Sequence, residues 1–375
     1  MGELVALDLP AGPGFVDALR RAWDAGDAVL PLDPRLPGAA AGRLLDALRP
    51  ARIVTPDGVH VRADGIPTEP GDALVVATSG TTGEPKGVVH TRDSVVASAE
   101  MTSAALAVDP GRDRWVACLP LAHVGGLSVV TRSLVTGTPC TVLERFDPQA
   151  VEEEARRGAT LVSLVAAVLG RTDTSGYRSV LLGGAAPPAG LPANVVTTYG
   201  MTETGSGCVY DGRPLPGVEL RIGDGSLGAE GEVLVRGPML LRAYRDGTDP
   251  RIGDGWLPTG DSGRLEDDGT LVVFGRMAEV IVTGAEKVWP SPVEDVLAGH
   301  AGVAEVAVWK RPDPVWGERV VAWIVPEAGI PVPPLDELRD LVAARVAPWA
   351  APRELVVVAS LPRTPGGKIR RSALS

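Results

Sequence analysis

The 375-residue sequence lacks the features that mark several classes of protein. Its formal net charge is −11, from 36 Lys and Arg against 47 Asp and Glu, so it offers no positive field for a nucleic acid or an anionic membrane. Its three cysteines form no Cys-x-x-Cys pair, which argues against a disulfide framework and a zinc site. The longest apolar stretch, residues 161–170, is too short to cross a bilayer. We therefore expect no nucleic-acid partner and no membrane insertion, and any anionic ligand must be held by local groups.

The start of the chain, Met-Gly-Glu-Leu-Val-Ala, has no basic leader followed by an apolar run. Secretion and organelle import use such leaders, so we expect a cytoplasmic protein. A content of 45% hydrophobic and 22% charged residues is that of an ordinary globular protein, and the length exceeds the usual size of one domain. We therefore expect one large core and a smaller appended unit.

Segments of helical period alternate with short apolar stretches that end in Gly-rich or polar turns, which is typical of an α/β domain. Strands are predicted at 74–77, 115–119, 160–165, 180–182 and 195–198. After residue 217, alternating strands with tight turns favour an antiparallel sheet. Beyond Arg276, strands at 303–309 and 320–325 and a helix at 335–346 indicate a small α+β domain. The sequence thus predicts an N-terminal domain over 1–275, a C-terminal domain over 276–375 and a hinge near 275–278.

The most specific segment is the string TSGTTGEPKG, which begins at Thr78 and follows an apolar strand. Glycines let backbone N–H groups approach an anion, hydroxyls donate to its oxygens, and Lys86 supplies compensating charge. Because Gly87 follows that lysine where a Walker A loop has Ser or Thr, the string is not a classical P-loop. It predicts a phosphate-binding loop of another kind.

This string resembles the signature loop of the adenylate-forming superfamily, which includes acyl-CoA synthetases, adenylation domains and luciferases. Further matching segments follow in the family's order as far as Lys368. The resemblance implies an α/β fold in which a large N-terminal adenylate-forming domain with mixed sheets is joined to a small, mobile α+β C-terminal domain. Residues 1–71 form a shorter region than the first subdomain usual in the family.

The segment Tyr199–Thr204 resembles the family motif in which the tyrosine packs against adenine, Thr202 contacts the α-phosphate and Glu203 holds Mg²⁺. A flat ring suits a purine, and a hard carboxylate suits Mg²⁺. The segment Thr259–Asp261 with Arg276 resembles the ribose-binding pair. The resemblance implies nucleotide contacts from Thr78, Ser79, Gly80, Thr81, Thr82, Gly83, Gly184, Ala185, Tyr199, Asp261 and Arg276, and a metal site formed by Glu203 and Thr81.

The segment Pro362–Arg370 resembles the C-terminal loop whose lysine acts only in the first half-reaction, so the resemblance assigns Lys368 to adenylation, with Lys86, Thr202 and Glu203 as the other catalytic residues. The small domain would then rotate and open a channel for the thiol of CoA. Gly284, Ala285 and Trp316 resemble the residues beside the CoA arm. The family's usual acidic pivot, two residues after Arg276, is replaced here by Ala278, which Glu279 follows.

The segment Pro120–Gly126 resembles the family stretch in which a histidine borders the pocket for the acyl group. His123 is therefore predicted to line the pocket together with Gly183 and Gly200. A helix is expected to follow this segment, and on it Arg132 lies nine residues after His123, among Val129, Val130, Leu134 and Val135. A charge among apolar neighbours needs an anionic partner, although a long side chain reaching the surface is an equal alternative. A pocket arginine would suit a diacid, as in the compact o-succinylbenzoate:CoA ligases of menaquinone biosynthesis, which this chain resembles.

We therefore expect an ATP-dependent acid:CoA ligase whose partners are a small carboxylic acid, ATP, Mg²⁺ and CoA. Another acyl- or aryl-CoA synthetase and a free-standing adenylation enzyme are the nearest alternatives. A non-catalytic adenylate-binding protein is an alternative of a different class. Lys86, Glu203, Asp261 and Lys368 together argue against it, since losing one would suffice for inactivity. A homodimer stays open as the oligomeric state.

Overall fold

The structure is a computed structural model that describes residues 2–79, 85–188, 190–223, 225, 229–363 and 369–374. The chain divides into two units. The first consists of residues 1–220 with 235–257, and the second of residues 221–234 with 258–375. The domain boundary expected at residue 275 stays a prediction.

The described residues form helices and strands along the whole chain. The helices are α1 (Pro13–Asp24), α2 (Gly38–Leu48), α3 (Arg92–Ala105), α4 (Val124–Thr136), α5 (Pro148–Arg156), α6 (Ala166–Leu169), α7 (Pro290–Ala298) and α8 (Leu335–Arg345). The strands are β1 (Leu4–Leu7), β2 (Ala28–Pro31), β3 (Arg52–Thr55), β4 (Gly58–Val61), β5 (Asp72–Ser79), β6 (Pro85–Thr91), β7 (Trp115–Ala117), β8 (Cys140–Val142), β9 (Leu161–Val165), β10 (Ser179–Gly183), β11 (Val195–Met201), β12 (Ser206–Tyr210), β13 (Arg213–Pro214), β14 (Glu219–Ile222), β15 (Gly231–Arg236), β16 (Ala243–Tyr244), β17 (Leu257–Leu265), β18 (Leu271–Arg276), β19 (Ile281–Thr283), β20 (Glu286–Val288), β21 (Val303–Asp313), β22 (Gly317–Pro326) and β23 (Glu354–Val357). Short 3₁₀ turns lie at Thr202–Thr204, Met277–Glu279, Pro348–Ala350 and Arg371–Ala373.

One mixed sheet of the first unit has the strand order β16-β6-β5-β2-β1-β3-β4. Strands β1, β2, β3 and β5 are parallel, whereas β6 returns antiparallel to β5 and β16 is antiparallel to β6. Apolar side chains of β1 and β2 are buried, which matches a parallel sheet covered on both faces. The short N-terminal region therefore supplies β1–β4, α1 and α2, and it builds much of this sheet.

The second sheet of this unit has the order β13-β12-β11-β10-β9-β7-β8. Its strands β7, β8, β9, β10 and β11 are parallel to one another, and β12 is antiparallel to β11. The carboxyl ends of β10 and β11 consequently lie side by side. Those are the ends that carry the segments expected to bind nucleotide and acid, at the edge where open α/β sheets bind ligands.

The second unit contains most of a four-stranded sheet, β14-β15-β17-β18, and a five-stranded sheet in which β20, β19, β22 and β21 are neighbours and β23 pairs with β22. Strands β17 and β18 are antiparallel, as are β21 and β22. Helices α7 and α8 pack their buried residues Val293, Leu297, Leu338 and Val342 against the five-stranded sheet. The predicted α+β character is confirmed.

Helix starts follow ordinary capping chemistry. The Thr91 side chain accepts a hydrogen bond from the Ser94 N–H at the start of α3, and the Asp147 carboxylate accepts from two N–H groups at the start of α5. Helix α4 is followed by Gly137, whose φ of 71° is the left-handed conformation that ends many helices. The strands predicted in the first unit and the helix expected after His123 are all confirmed, with ends shifted by up to three residues. None of the helices formed by the described residues is long and apolar enough to span a bilayer.

Candidate active site

The two strands that flank the predicted phosphate loop form a hairpin. Thr78 on β5 is the cross-strand partner of Lys86 on β6. Gly80, Thr81, Thr82 and Gly83 lie outside the described residues, as does the Ser79 side chain. The stem of the loop thus places the Thr78 and Lys86 backbones side by side at the end of the first sheet.

Gly87, next to the lysine, is fixed by steric crowding. A Cβ atom at this position would lie 2.8 Å from Leu48 Cδ2, 2.8 Å from Val75 Cγ1 and 3.0 Å from Arg245 Cβ. The backbone N–H of Arg245 donates to the Gly87 carbonyl at 2.7 Å. The strand that carries Lys86 is therefore packed tightly against the chain around β16.

The motif after β11 forms the 3₁₀ turn Thr202–Thr204, and protein groups hold its backbone. His90 Nε2 lies 2.7 Å from the Thr202 carbonyl oxygen, so it must carry the proton and donate. The Leu241 N–H donates to the Glu203 carbonyl at 2.8 Å, and the Thr204 hydroxyl accepts from the Met201 N–H at 2.8 Å. The turn is therefore fixed from three sides.

The Glu203 side chain is linked to Lys86 through a tyrosine that sequence reasoning missed. The Tyr244 hydroxyl donates to Glu203 Oε1 at 3.0 Å, and Lys86 Nζ lies 5.0 Å from the centroid of the Tyr244 ring. Burial, and next the charge of Glu203, raise the pKa of Tyr244, so its hydroxyl stays a donor. Lys86, which is predicted to bind phosphate, and Glu203, which is predicted to bind metal, thus both contact the side chain of Tyr244.

The glycines at the ends of β10 and β11 have a packing reason for their small size. A Cβ at Gly183 would lie 2.6 Å from Thr198 Oγ1, and one at Gly200 would lie 2.2 Å from the Ser206 carbonyl oxygen. Gly184 has a φ of 85°, which favours glycine. Ala185 is exposed, and Tyr199 is half-buried beside a β-bulge between β11 and β12. The structure places these two segments side by side, and their contact with a ligand stays a prediction.

His123 is placed at the start of α4 and is 57% exposed, with Nε2 4.0 Å from Asp33 Oδ2. The partner aspartate comes from the N-terminal region, and Arg35 holds its pKa below the ordinary value. Gly126 in the same segment could not carry a side chain, since a Cβ would lie 2.4 Å from the Leu119 carbonyl oxygen. The structure thus places the imidazole at the surface of this unit.

Arg132 on α4 is buried, with 2% of its surface exposed, so the alternative of a surface arginine is wrong. Its Nη2 donates to the hydroxyls of Ser206 at 2.8 Å and Ser128 at 3.2 Å, and its guanidinium lies 5.2 Å from the centroid of the Trp115 ring. Among the described residues, neither Nε nor Nη1 has an acceptor. Burial lowers the pKa of Arg132. The guanidinium is thus a buried cation, and no carboxylate of the described residues pairs with it.

A cavity of about 10 Å³ lies beside this helix and is lined by Ser128, Thr131, His90 and Gly205 among others. That space suits roughly one water molecule. An acid that approached this part of α4 would therefore have to move side chains.

In the second unit, the two predicted ribose segments meet. Asp261 and Arg276 are cross-strand partners on β17 and β18, and Arg276 Nε lies 2.9 Å from Asp261 Oδ1. Arg276 Nη1 also donates to the Thr259 carbonyl at 3.0 Å. The carboxylate is buried, whereas the arginine is exposed. The structure thus pairs the two side chains, and their contact with ribose stays a prediction.

The segments predicted to contact CoA also come together. The Gly284 N–H donates to the Trp316 carbonyl at 2.7 Å, and a Cβ at Gly284 would lie 3.2 Å from the Trp316 ring. Trp316 is 41% exposed and carries the Arg353 guanidinium 4.2 Å from its ring centroid. Ala285 is exposed beside them. The tryptophan and the 283–286 turn thus form one surface.

Lys368 lies outside the described residues, but the segment after it is anchored. Arg371 forms hydrogen bonds of 2.9 and 2.8 Å with the Glu294 carboxylate and one of 2.9 Å with Glu279. Burial raises the pKa of Glu294, and the arginine opposes that effect. The end of the C-terminal loop is thereby tied to the residue that follows Ala278.

Relatives of known name match the chain over most of its length. The profile of the AMP-binding enzyme family matches residues 62–245, and that of the AMP-binding enzyme C-terminal domain matches residues 292–368. A probable 2-succinylbenzoate–CoA ligase of Mycobacterium tuberculosis is 38% identical over 397 residues, which cover 98% of this chain and 97% of the relative. A 2-succinylbenzoate–CoA ligase of Bacillus cytotoxicus is 34% identical over 337 residues, which cover 80% of this chain and 69% of the relative.

A solved structure has the same fold. The o-succinylbenzoate CoA synthetase of Bacillus subtilis, in complex with its acyl-adenylate intermediate, aligns with a TM-score of 0.87 and 28% identity over 100% of this chain and 88% of the other. The fold of this chain agrees with that structure. The chain therefore belongs to the AMP-binding, adenylate-forming enzyme family.

Proposed function

We propose that this protein is an AMP-forming acid–thiol ligase that converts o-succinylbenzoate, ATP and CoA to o-succinylbenzoyl-CoA, AMP and pyrophosphate. The family and the names of the relatives support the reaction and the acid. One observation on this chain carries the choice of a diacid: two nitrogens of the buried Arg132 guanidinium lack an acceptor among the described residues. A second carboxylate is the group that would satisfy them.

The reaction needs two steps because a carboxylate is negative and would have to expel oxide. In the first step a carboxylate oxygen bonds to the α-phosphorus of ATP, and the bond from that phosphorus to pyrophosphate breaks. We assign Lys368 to bridging the attacking carboxylate and the α-phosphate, and Lys86 to neutralising the departing pyrophosphate. The products are the acyl-adenylate and pyrophosphate.

The nucleotide is held by groups from several segments. We propose that the ring of Tyr199 covers adenine beside Gly184 and Ala185, that Thr202 contacts the α-phosphate, and that the loop from Thr78 through Gly83 surrounds the other phosphates. The Asp261 carboxylate would accept from the ribose hydroxyls, with Arg276 beside it. The pair's observed spacing of 2.9 Å is consistent with a carboxylate that is already oriented.

Glu203 fits Mg²⁺, because a carboxylate is a hard oxygen ligand and this one is half-buried and oriented by Tyr244. From the sequence, Thr81 would be its neighbour at the metal. When bound, Mg²⁺ would neutralise charge on the phosphate oxygens that the chain's own groups position.

In the second step the sulfur of CoA bonds to the acyl carbon, and the bond from that carbon to AMP breaks. We propose that the domain formed by residues 276–375 rotates against residues 1–275 about a hinge at 275–278, which withdraws Lys368. Gly284, Ala285 and Trp316 would then contact the arm of CoA. Their shared surface supports that assignment.

The acid would lie between helix α4 and the glycines Gly183 on β10 and Gly200 on β11. We propose that His123, Gly183 and Gly200 line the pocket and that Arg132 pairs with the carboxylate that does not react. We further propose that the enzyme acts in menaquinone biosynthesis, in the cytoplasm where ATP and CoA are available.

The direct test incubates the pure protein with ATP, Mg²⁺, CoA and o-succinylbenzoate and detects the thioester by mass spectrometry. We expect the o-succinylbenzoyl thioester in an amount equal to the AMP formed. An absence of thioester with this acid, together with rapid turnover of a monocarboxylic acid, would exclude the proposed substrate. A panel of acids in ATP–pyrophosphate exchange identifies any other acid.

A further inference from the structure

Tyr244 belongs to none of the motifs that were assigned a role, yet it touches two of the residues on which the proposed chemistry depends. Its hydroxyl donates to Glu203 Oε1 at 3.0 Å, and its ring lies 5.0 Å from Lys86 Nζ. The glutamate lies 41 residues away along the chain. One side chain therefore connects the stem of the phosphate loop to the turn that carries the proposed metal ligand.

The backbone that carries Tyr244 is itself held in place. Within β16, Tyr244 is the cross-strand partner of Val88 on β6. On one side the Leu241 N–H donates to the Glu203 carbonyl, and on the other the Arg245 N–H donates to the Gly87 carbonyl. The backbone of Tyr244 is therefore held by the same pairing that positions the segments of its two partners.

The Arg242 side chain adds a second anchor. Its Nε lies 2.8 Å from Oδ1 of Asp72, whose side chain is fully buried, and its Nη2 lies 3.1 Å from Oδ2. Such a two-point contact between a guanidinium and a carboxylate fixes orientation as well as distance. The segment from Leu241 to Arg245 is thus bound to β5, to β6 and to the turn at Thr202–Thr204.

We infer that Tyr244 is a positioning residue that fixes the Glu203 carboxylate and the Lys86 ammonium for the magnesium-bound triphosphate of ATP. The inference rests on the proposed function, in which these two residues serve ATP. A donor to one carboxylate oxygen restricts rotation of the group and leaves the other oxygen to face the metal. The ring face holds the lysine cation by electrostatic attraction.

In other proteins, removing a hydrogen bond that orients a metal ligand lowers the metal affinity about 10- to 100-fold. In Tyr244→Phe, which keeps the ring and loses the hydroxyl, we expect the Mg²⁺ concentration that gives half-maximal ATP binding to rise about 10-fold. The measurement is calorimetric titration of ATP at a series of Mg²⁺ concentrations, with no acid and no CoA. The difference from wild type should vanish in EDTA.

The matched control is Tyr177→Phe. The Tyr177 hydroxyl is buried and donates to the Val151 backbone carbonyl at 2.6 Å, within the packing of the second sheet. This variant should lose stability to a similar extent and keep the wild-type dependence on Mg²⁺. An equal shift in both variants would make the role of Tyr244 merely structural and overturn the inference.

A double-mutant cycle tests whether Tyr244 acts through its glutamate. In a Glu203→Gln background, Tyr244→Phe should change the Mg²⁺ dependence less than 2-fold, because the carboxylate it orients is gone. A further variant, Tyr244→Leu, also removes the ring from Lys86 and should weaken ATP binding about 3-fold beyond Tyr244→Phe. Additive effects in the cycle would overturn the inference.

The two proposals can fail separately. If wild type forms the o-succinylbenzoyl thioester and Tyr244→Phe binds ATP with an unchanged Mg²⁺ dependence, the inference fails and the proposed function stands. If wild type forms no such thioester and Tyr244→Phe still shifts the Mg²⁺ dependence, the proposed acid fails and the positioning role stands.

Discussion

The turn at Thr202–Thr204 and the guanidinium of Arg132 lie in the same unit, but protein groups satisfy them to different degrees. In the turn, the Thr202 carbonyl, the Glu203 carbonyl and the Glu203 carboxylate each have a protein donor. In Arg132, two of the three nitrogens have no acceptor among the described residues. Protein donors hold the turn in place, whereas Arg132 has no carboxylate partner in the part of the chain that the structure describes.

This contrast has a physical meaning. Groups whose geometry must be the same in every step of a reaction are best held by the protein, which avoids reorganisation during catalysis. A buried cation without an anion costs free energy, and that cost is recovered only when a ligand supplies the charge. The contrast therefore separates the proposed nucleotide-binding groups from the group proposed to select the acid.

The largest effect on activity is expected from replacing Arg132. Arg132→Met should lower kcat/KM for o-succinylbenzoate about 10²- to 10³-fold, because a buried charge pair with the substrate is lost. The KM for ATP should stay unchanged. The free energy of unfolding without ligand should rise by about 1 kcal/mol, since a buried charge is removed. Steady-state kinetics and urea unfolding measure these quantities.

A paired arginine provides the control for that variant. Arg178 forms hydrogen bonds of 3.1 and 2.8 Å with the buried carboxylate of Asp113. Arg178→Met should therefore destabilise the protein by about 1–3 kcal/mol and leave the preference between a diacid and a monoacid unchanged. If Arg132→Met instead destabilises the protein and weakens ATP and acid equally, Arg132 is structural.

A smaller effect, on the pH dependence of stability, is expected from His90, which holds the turn at Thr202–Thr204. Burial lowers the pKa of His90 to about 4, against the opposing effect of its hydrogen bond to Thr202. Between pH 6.5 and 4 the unfolded chain binds a proton that the folded protein excludes, so stability is present above pH 6.5 and lost as pH falls. This residue should cost about 2 kcal/mol between pH 7 and pH 5.

The measurement is urea unfolding at both pH values for wild type and His90→Gln. The glutamine amide can still donate to the Thr202 carbonyl but does not titrate, so its loss of stability between the two pH values should be about 2 kcal/mol smaller. An equal loss in both proteins would mean that His90 does not exclude a proton in the folded state.

The sequence allowed much of the fold to be predicted, because the strands are short apolar segments punctuated by turns. It also allowed Asp261 and Arg276 to be paired, through their resemblance to a known motif. Tyr244 and His90 could not be found in that way. Each stands in a segment without a chemical signature, and their partners lie 41 and 112 residues away along the chain. The pairing of β16 with β6 places Tyr244 beside the strand that carries His90.

The environment of Arg132 was undecided for a different reason. An arginine among apolar residues on a helix can point inward or extend its long stem to the surface, and the sequence pattern is the same in both cases. The packing of α4 against the second sheet decides it, since Ser206 on β12 accepts from its Nη2 at 2.8 Å. The N-terminal region, which the sequence predicts to be short, supplies four strands to the first sheet.

The proposed reaction activates the acid by transfer of AMP. To test this, o-succinylbenzoate labelled with ¹⁸O in both carboxylates is incubated with the protein, ATP, Mg²⁺ and CoA, and the products are analysed by mass spectrometry. We expect one ¹⁸O atom in AMP and none in pyrophosphate. Label in a phosphate other than that of AMP, or thioester formation without labelled AMP, would contradict it.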